Sequence, residues 1–201
     1  MKEIIEGIYT WSWFSQEKQI PFNGFYVRSE EAAVIVDPPP YGGDDLAEME
    51  RLGAPVAILL TNVHHGRRSA ELAEHFGIPI RLHESDAAGA SVKVTSTFKD
   101  GDVLEGGLVA VHVPHAKSPG ETAFHHQASG ALIVGDAIIG KPAGQVRLLP
   151  AEKFPDAEKA LLGVRRLLEV PFSALLLGDG ESLVEGGHDA IRKYLAEAGA
   201  V

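Results

Sequence analysis

Apolar and polar positions alternate over Ile8–Trp13, and aromatic and β-branched residues fill Gly24–Val27, so the chain opens on β-strands. A continuous apolar run, Ala33–Val36, stops at Asp37. The Pro38-Pro39-Pro40-Tyr41-Gly42-Gly43 stretch behind it continues neither strand nor helix, because each proline lacks a donor and the glycine pair loosens the backbone. Asp44 or Asp45 is then placed to cap a helix reaching about Leu52, closed by Gly53 and Pro55.

From there the elements alternate. Val56–Leu60 predicts a buried strand, Arg68–Phe76 a helix closed by Gly77, and Ile78–Leu82 another strand. A second β-rich block takes in Ser91–Thr95, Asp102–Leu104, Leu108–Val113, Thr122–His126 and Ala131–Val134. The last third returns to helix at Pro155–Leu168, strand at Ser173–Leu177 and helix at Gly187–Ala198. Along the first of these helices Leu161, Leu162, Val164, Leu167 and Leu168 form the apolar stripe and leave Arg165, Arg166 and Glu169 outside. No repeat, linker or low-complexity segment interrupts the pattern. The expectation is one domain over residues 1–201, with sheets sandwiched between helices.

Composition narrows the function. At 45% hydrophobic and 23% charged, the 201 residues are those of a folded chain with a real core. The 28 Asp and Glu outnumber the 18 Lys and Arg, a net charge of −10 that argues against a nucleic-acid partner. Most of that acidic surplus reads as surface solubility. The absence of cysteine removes disulfides, thiolate metal sites and cysteine nucleophiles together. No run approaches the ~18–20 apolar residues of a membrane span. Glu3 and Glu6 at the start break any secretory pattern, so the expected location is the cytoplasm, away from membranes.

The polar residues gather at strand ends. Val56–Leu60 runs into Thr61-Asn62-Val63-His64-His65-Gly66-Arg67-Arg68, and Leu108–Val113 into Pro114-His115-Ala116-Lys117-Ser118-Pro119-Gly120-Glu121. Ala131–Val134 ends at Gly135-Asp136, and Ser173–Leu177 at Gly178-Asp179-Gly180-Glu181. Loops at the ends of neighbouring strands are fixed by the sheet yet free in residue type, which suits them to chemistry.

This order and spacing resemble the metallo-β-lactamase superfamily, whose pattern is a strand followed by T-H-x-H-x-D-H, a P-G-H-T-P-G loop, a strand ending in G-D, and a late G-H-G. Asn23 and Asp37 also stand where that family has an Asn before its second strand and an Asp after its third. The resemblance spans nearly the whole chain and implies an α/β, four-layer αββα sandwich. It fails at the metal ligands. Aligned on Leu-Leu-Thr, the first ligand His becomes Asn62, the second stays His64, the Asp becomes Gly66 and the next His becomes Arg67. Lys117 falls on the ligand His of the P-G-H-T-P-G loop, Asp136 matches the bridging carboxylate, and Asp179 replaces the final His.

A catalytic zinc needs about three neutral-imidazole or carboxylate ligands and an open position for water. Lys117 and Arg67 instead bring fixed positive charge, and an Arg does not deprotonate. Facing Asp136 and Asp179 they make a neutral cluster that needs no metal, tolerable below the surface only if paired and hydrogen-bonded. The expectation is therefore a hydrolase relative whose dinuclear site is largely lost, with no cofactor and no metal. The pocket candidates are Asn62, His64, Arg67, Lys117, Asp136 and Asp179. Two alternatives stay open. One is a hydrolase of an ester, thioester or lactone with a remodelled single zinc on His64, Asp136 and Asp179, with His65 or His115 in reserve. The other is a non-catalytic module binding a small molecule or a protein, including a second copy of the chain as a homo-oligomer.

Other features read more plainly. His115 beside Pro114 is a turn residue, and His125 and His126 point to opposite faces of a strand. Glu121 reads as solvated or capping, and Trp11, Trp13, Phe14, Phe22 and Phe25 as core or flap packing. No G-x-S-x-G elbow, phosphate loop or dinucleotide fingerprint is present.

Overall fold

A computed structural model describes residues 1–200 and lays them out as two sheets with helices on their outer faces. The first sheet runs in chain order: β1 Lys2–Ile5, β2 Ile8–Ser15, β3 Ile20–Arg28, β4 Ala33–Val36, β5 Ala57–Leu59, β6 Ile80–His83 and β7 Ser96–Phe98. Its pairing is antiparallel up to β4 and parallel from β4 to β7. Parallel strands need crossovers, and α1 Gly43–Leu52, α2 Ser69–Phe76 and α3 Glu84–Ala87 fall between them. The second sheet has the order β12-β11-β10-β9-β8, from β8 Val103–Leu104, β9 Leu108–His112, β10 Thr122–His126, β11 Ala131–Val134 and β12 Ala174–Leu177. Only β11 and β12 pair parallel in it, joined through α4 Ala157–Arg166, and α5 Gly187–Glu197 follows.

Three apolar cores separate the four layers. Phe25, Val34, Val36, Leu59, Phe124, Ile133 and Leu176 meet between the sheets. Tyr26, Ile35, Ile58 and Leu60 face outward onto Met49, Leu52 and Leu72 of α1 and α2. Leu132, Val134, Leu175 and Leu177 face Val164, Leu167, Ile191 and Leu195 on the opposite side. The unbroken apolar runs of β4, β5, β11 and β12 follow from this, since strands covered on both faces lose their polar alternation. This is the αββα sandwich anticipated from the sequence.

Several local expectations need correction. Ser91–Thr95 is not a strand. Val92 and Val94 alternate because they pack towards the α1–α2 core, and the ladder begins only at Ser96. Gly42, not Asp44 or Asp45, caps α1. Asp45 acts from inside the first turn, where its carboxylate accepts from Gly42 N at 2.9 Å. The helix expected over Pro155–Leu168 starts after Asp156, whose carboxylate accepts from Glu158 N and Lys159 N, and tightens to a 3-10 turn at Leu167. Leu162, assigned to its apolar stripe, is 54% exposed. The edge strand β1 was not anticipated. Among the described residues no helix is long and apolar enough to cross a membrane.

Candidate functional site

The C-terminal ends of β4, β5, β11 and β12 lie at one edge of the sandwich, and the loops leaving them converge there. Asp37, immediately after β4, is fully buried and organises the β5 loop. Its Oδ1 accepts from Thr61 N at 2.8 Å, and its Oδ2 accepts from Thr61 Oγ1 at 2.5 Å and from His65 Nδ1 at 2.8 Å. Asn62 caps the 3-10 turn Val63–His65 by accepting from His64 N at 2.9 Å. That turn aims His65 inward, 2% exposed, and leaves His64 exposed. Asp37 and Arg67 hold positive φ, 48° and 28°, local strain of the kind concentrated at sites that must present side chains in fixed directions.

Two further ties fix the loops to one another. Asp86, buried in α3, accepts from Val63 N at 2.9 Å, Ser118 Oγ at 2.7 Å and Gly120 N at 2.8 Å, binding the β5 and β9 loops together. Asn23 of β3 donates from Nδ2 to Leu177 O at 2.7 Å and Gly180 O at 2.8 Å, which holds the loop carrying Asp179. Gly180 has φ +89°, and a side chain there would strike the Gly140 carbonyl, so the Gly178-Asp179-Gly180 turn is glycine by steric need.

The converging side chains form an alternating charge network. Lys117 Nζ donates to Asp136 Oδ2 at 2.6 Å, and Arg67 Nη2 donates to Asp179 Oδ1 at 2.6 Å. His65 Nε2 lies 3.5 Å from Asp136 Oδ1 and 3.2 Å from Arg67 Nη2, and the Arg67 guanidinium stacks over Phe22 at 4.3 Å. Burial and the Arg67 charge push the His65 imidazole down. The carboxylates of Asp37 and Asp136 outweigh both and raise it to about 10, so it is an imidazolium at neutral pH. Burial alone would raise Asp136, but His65 and Lys117 hold it well below the usual carboxylate range. Burial dominates at Asp179 and raises it despite His65 and Arg67. Partial burial and the Lys117 charge lower His64.

Glu121 corrects the sequence expectation of a solvated residue. It is 0% exposed, Oε1 accepts from Ala137 N at 3.2 Å, and burial together with Asp136 raises its carboxyl well above the ordinary value. Its surroundings favour the uncharged acid. Gly135 brings the backbone against this layer. A Cβ there would land on Thr61 Oγ1 and lie 2.8 Å from both Asn62 Nδ2 and Glu121 Oε1. Gly135→Ala is expected to cost about 1–3 kcal/mol through overpacking. Urea unfolding checks this, and an unchanged midpoint would mean that the layer under the site is loose.

A cavity of about 480 Å³ opens above the network. It brings together His64, Arg67, Lys117, Asp136 and Asp179, while Asn62 lies beneath and is fully buried. His115 is exposed in a left-handed turn at φ 61° and takes no part. Sequence reading placed His64 with Asp136 and Asp179 as a ligand set. In the structure it is His65 whose ligand atom lies within 4.8 Å of those of Asp136 and Asp179. Sequence reading also passed over Asp86 and the cavity-mouth residues Lys18, Lys141, Arg147 and Lys153. They belong to segments with no local signature.

No curated protein matches the sequence significantly. The fold is that of the DIM-1 metallo-beta-lactamase, with TM-score 0.78 at 14% identity over 98% of this chain and 96% of that one. A metallo-beta-lactamase from Pontibacter korlensis superposes with TM-score 0.76 at 16% identity, covering 95% and 94%. TTHA1623 in a di-iron-bound form gives 0.69 at 24% identity, covering 90% and 96%. The family model described as metallo-beta-lactamase superfamily matches residues 1–198, and the chain belongs to that superfamily.

Proposed function

We propose that this chain is a metal-free member of the superfamily that binds a small molecule in the cavity at the sheet edge. The observation that carries the reading is the double pairing of Lys117 with Asp136 and of Arg67 with Asp179, at 2.6 Å each. Cations thus sit on the two carboxylates that stand at ligand positions of the family pattern, Asp136 as the matching carboxylate and Asp179 in place of a His. The donor set fits a metal poorly in other respects. The carboxylates of Asp37 and Asp136 favour protonated His65, a form with no lone pair to offer a metal. The orphaned buried atoms give a metal little support: neither Asp136 nor Asp179 has a buried oxygen without a partner, Arg67 Nη1 is a buried donor with none, and the one unpartnered carboxyl oxygen, Glu121 Oε2, belongs to a group whose burial favours the uncharged acid.

A second reading is supported by the close approach of His65, Asp136 and Asp179. One ion could be held there if Arg67 moved aside and His65 lost its proton, leaving a single-metal hydrolase of an ester, thioester or lactone. Elemental analysis of protein purified without chelator separates the readings. The metal-free reading expects well under one equivalent of zinc, iron or manganese and a melting temperature unchanged by EDTA. One equivalent retained through dialysis favours the second reading, and two equivalents would overturn both.

A further inference from the structure

The charge around the cavity mouth is unlike that of the rest of the chain. Six of the 18 Lys and Arg residues line it, against two of the 28 Asp and Glu. The two acids, Asp136 and Asp179, are already neutralised from within by Lys117, Arg67 and His65. Of the remaining four cations at the mouth, Lys18, Lys141, Arg147 and Lys153, the last three have no ion-pair partner among the described residues. Lys18 pairs only with its exposed neighbour Glu17, and Lys141 Nζ reaches only the Gln19 carbonyl at 3.3 Å. Arg147 and Lys153 make no side-chain hydrogen bond or ion pair among the described residues. Arg67 Nη1, inside, also has no acceptor.

Clustering uncompensated cations on a chain of net charge −10 costs self-repulsion, which an anionic occupant relieves. The other large cavity, at the opposite sign, is lined by Glu3, Glu6, Glu30 and Glu31, so the cationic mouth is not a general property of concave surface here. Between the cations the wall is apolar: Ile20, Phe22, Ile139, Leu149 and Pro150. A low-dielectric wall strengthens the field of the charges set in it.

We infer that the cavity is a binding site for a small organic anion of at least two negative charges joined to an apolar body. Its charged groups, phosphate or carboxylate, meet the four mouth cations, and its apolar part lies against the Phe22–Leu149 wall. This rests on the metal-free reading in taking the same cavity as the site and in counting Asp136 and Asp179 as neutralised from within, while the mouth cations that carry it are separate residues.

The test is calorimetric titration of the full chain at low ionic strength with phenyl phosphate, phthalate and neutral phenol. Phenyl phosphate or phthalate is expected to bind at least tenfold more tightly than phenol, and whichever binds more tightly identifies the anionic group. The double variant Arg147→Glu with Lys153→Glu should weaken that binding at least tenfold. Lys93→Glu with Lys193→Glu, the same change in net charge on exposed residues outside the cavity, should leave it within twofold. Both pairs are surface substitutions, and their melting temperatures verify folding. Absence of binding by both dianions, or binding indifferent to the Arg147 and Lys153 reversals, overturns the inference. Metal content is measured on the same samples. Tightly held metal with anion binding intact would sink the metal-free reading and leave this one standing.

Discussion

Replacing Asp37 by Asn is expected to destabilise the protein by about 3–5 kcal/mol and to flatten its stability above pH 6.5. The carboxylate is 0% exposed and holds the imidazolium of His65, itself buried, so removing its charge strands a buried cation. It also accepts from Thr61 N and Thr61 Oγ1, which an amide oxygen replaces only in part. The pH dependence has a definite sign. His65 titrates near 6.5 when unfolded and at about 10 when folded, so the stability it contributes is fully present below pH 6.5 and lost as the pH rises through 10. In that window the parent should lose up to about 1.4 kcal/mol per pH unit. Glu121 adds a slope of the same sign from lower pH, because the folded state keeps its carboxyl protonated after the unfolded chain has ionised it. Glu121→Gln removes that part and isolates the histidine. With Asp37 gone, burial and the Arg67 charge have only Asp136 against them, and the raised value of His65 should fall. Urea unfolding of the parent, Asp37→Asn and Glu121→Gln between pH 5 and 10 tests all of this. A parent stability flat from pH 6.5 to 10 would show that His65 is neutral in the fold and that the network is differently charged.

Sequence pattern located the layers better than the site. The runs in β4, β11 and β12 were readable because a strand covered on both faces has no other composition available to it. Ser91–Thr95 misled because alternating Val92 and Val94 report burial of one side, which a loop lying on a core shares with a strand. The family pattern points to Lys117, Arg67, Asp136 and Asp179, which the structure brings together in pairs of opposite charge. It favoured His64 over His65 because adjacent residues of a 3-10 turn diverge by the cap geometry of Asn62, which spacing does not encode. Glu121 was illegible for a different reason. Its burial depends on Gly135 and Ala137 of the β11 loop packing against it, and nothing local distinguishes it from a solvated acid. The cations at the mouth were missed likewise, since Lys18 and Lys153 come together only through the fold.

Lys117→Ala carries the other large expected effect and bears most directly on the proposed metal-free reading. Asp136 has 4% of its side chain exposed and two cationic neighbours, Lys117 at 2.6 Å and His65 at 3.5 Å. Losing Lys117 leaves the weaker of the two contacts, so a cost of about 3 kcal/mol is expected, towards the low end for breaking a buried pair. The lysine is itself 25% exposed, which lets water recover part of the loss. The sign at low pH follows from Asp136. Its folded carboxyl is held below the ordinary value, so the stability it contributes is present above pH ~3.8 and lost as the pH falls through the folded value. Without Lys117 the folded value moves back towards the ordinary one, so the total loss shrinks and is complete at a higher pH. A double-mutant cycle with Asp136→Asn separates pairing from packing: a coupling of about 2 kcal/mol or more marks a true ion pair, and near-additivity marks two independent losses. Lys117→His then asks whether the ligand geometry survives, because an imidazole beside Asp136 should raise zinc affinity above that of the parent. Melts of Lys117→Ala indistinguishable from the parent would sink the idea that an ammonium does the metal's electrostatic work here.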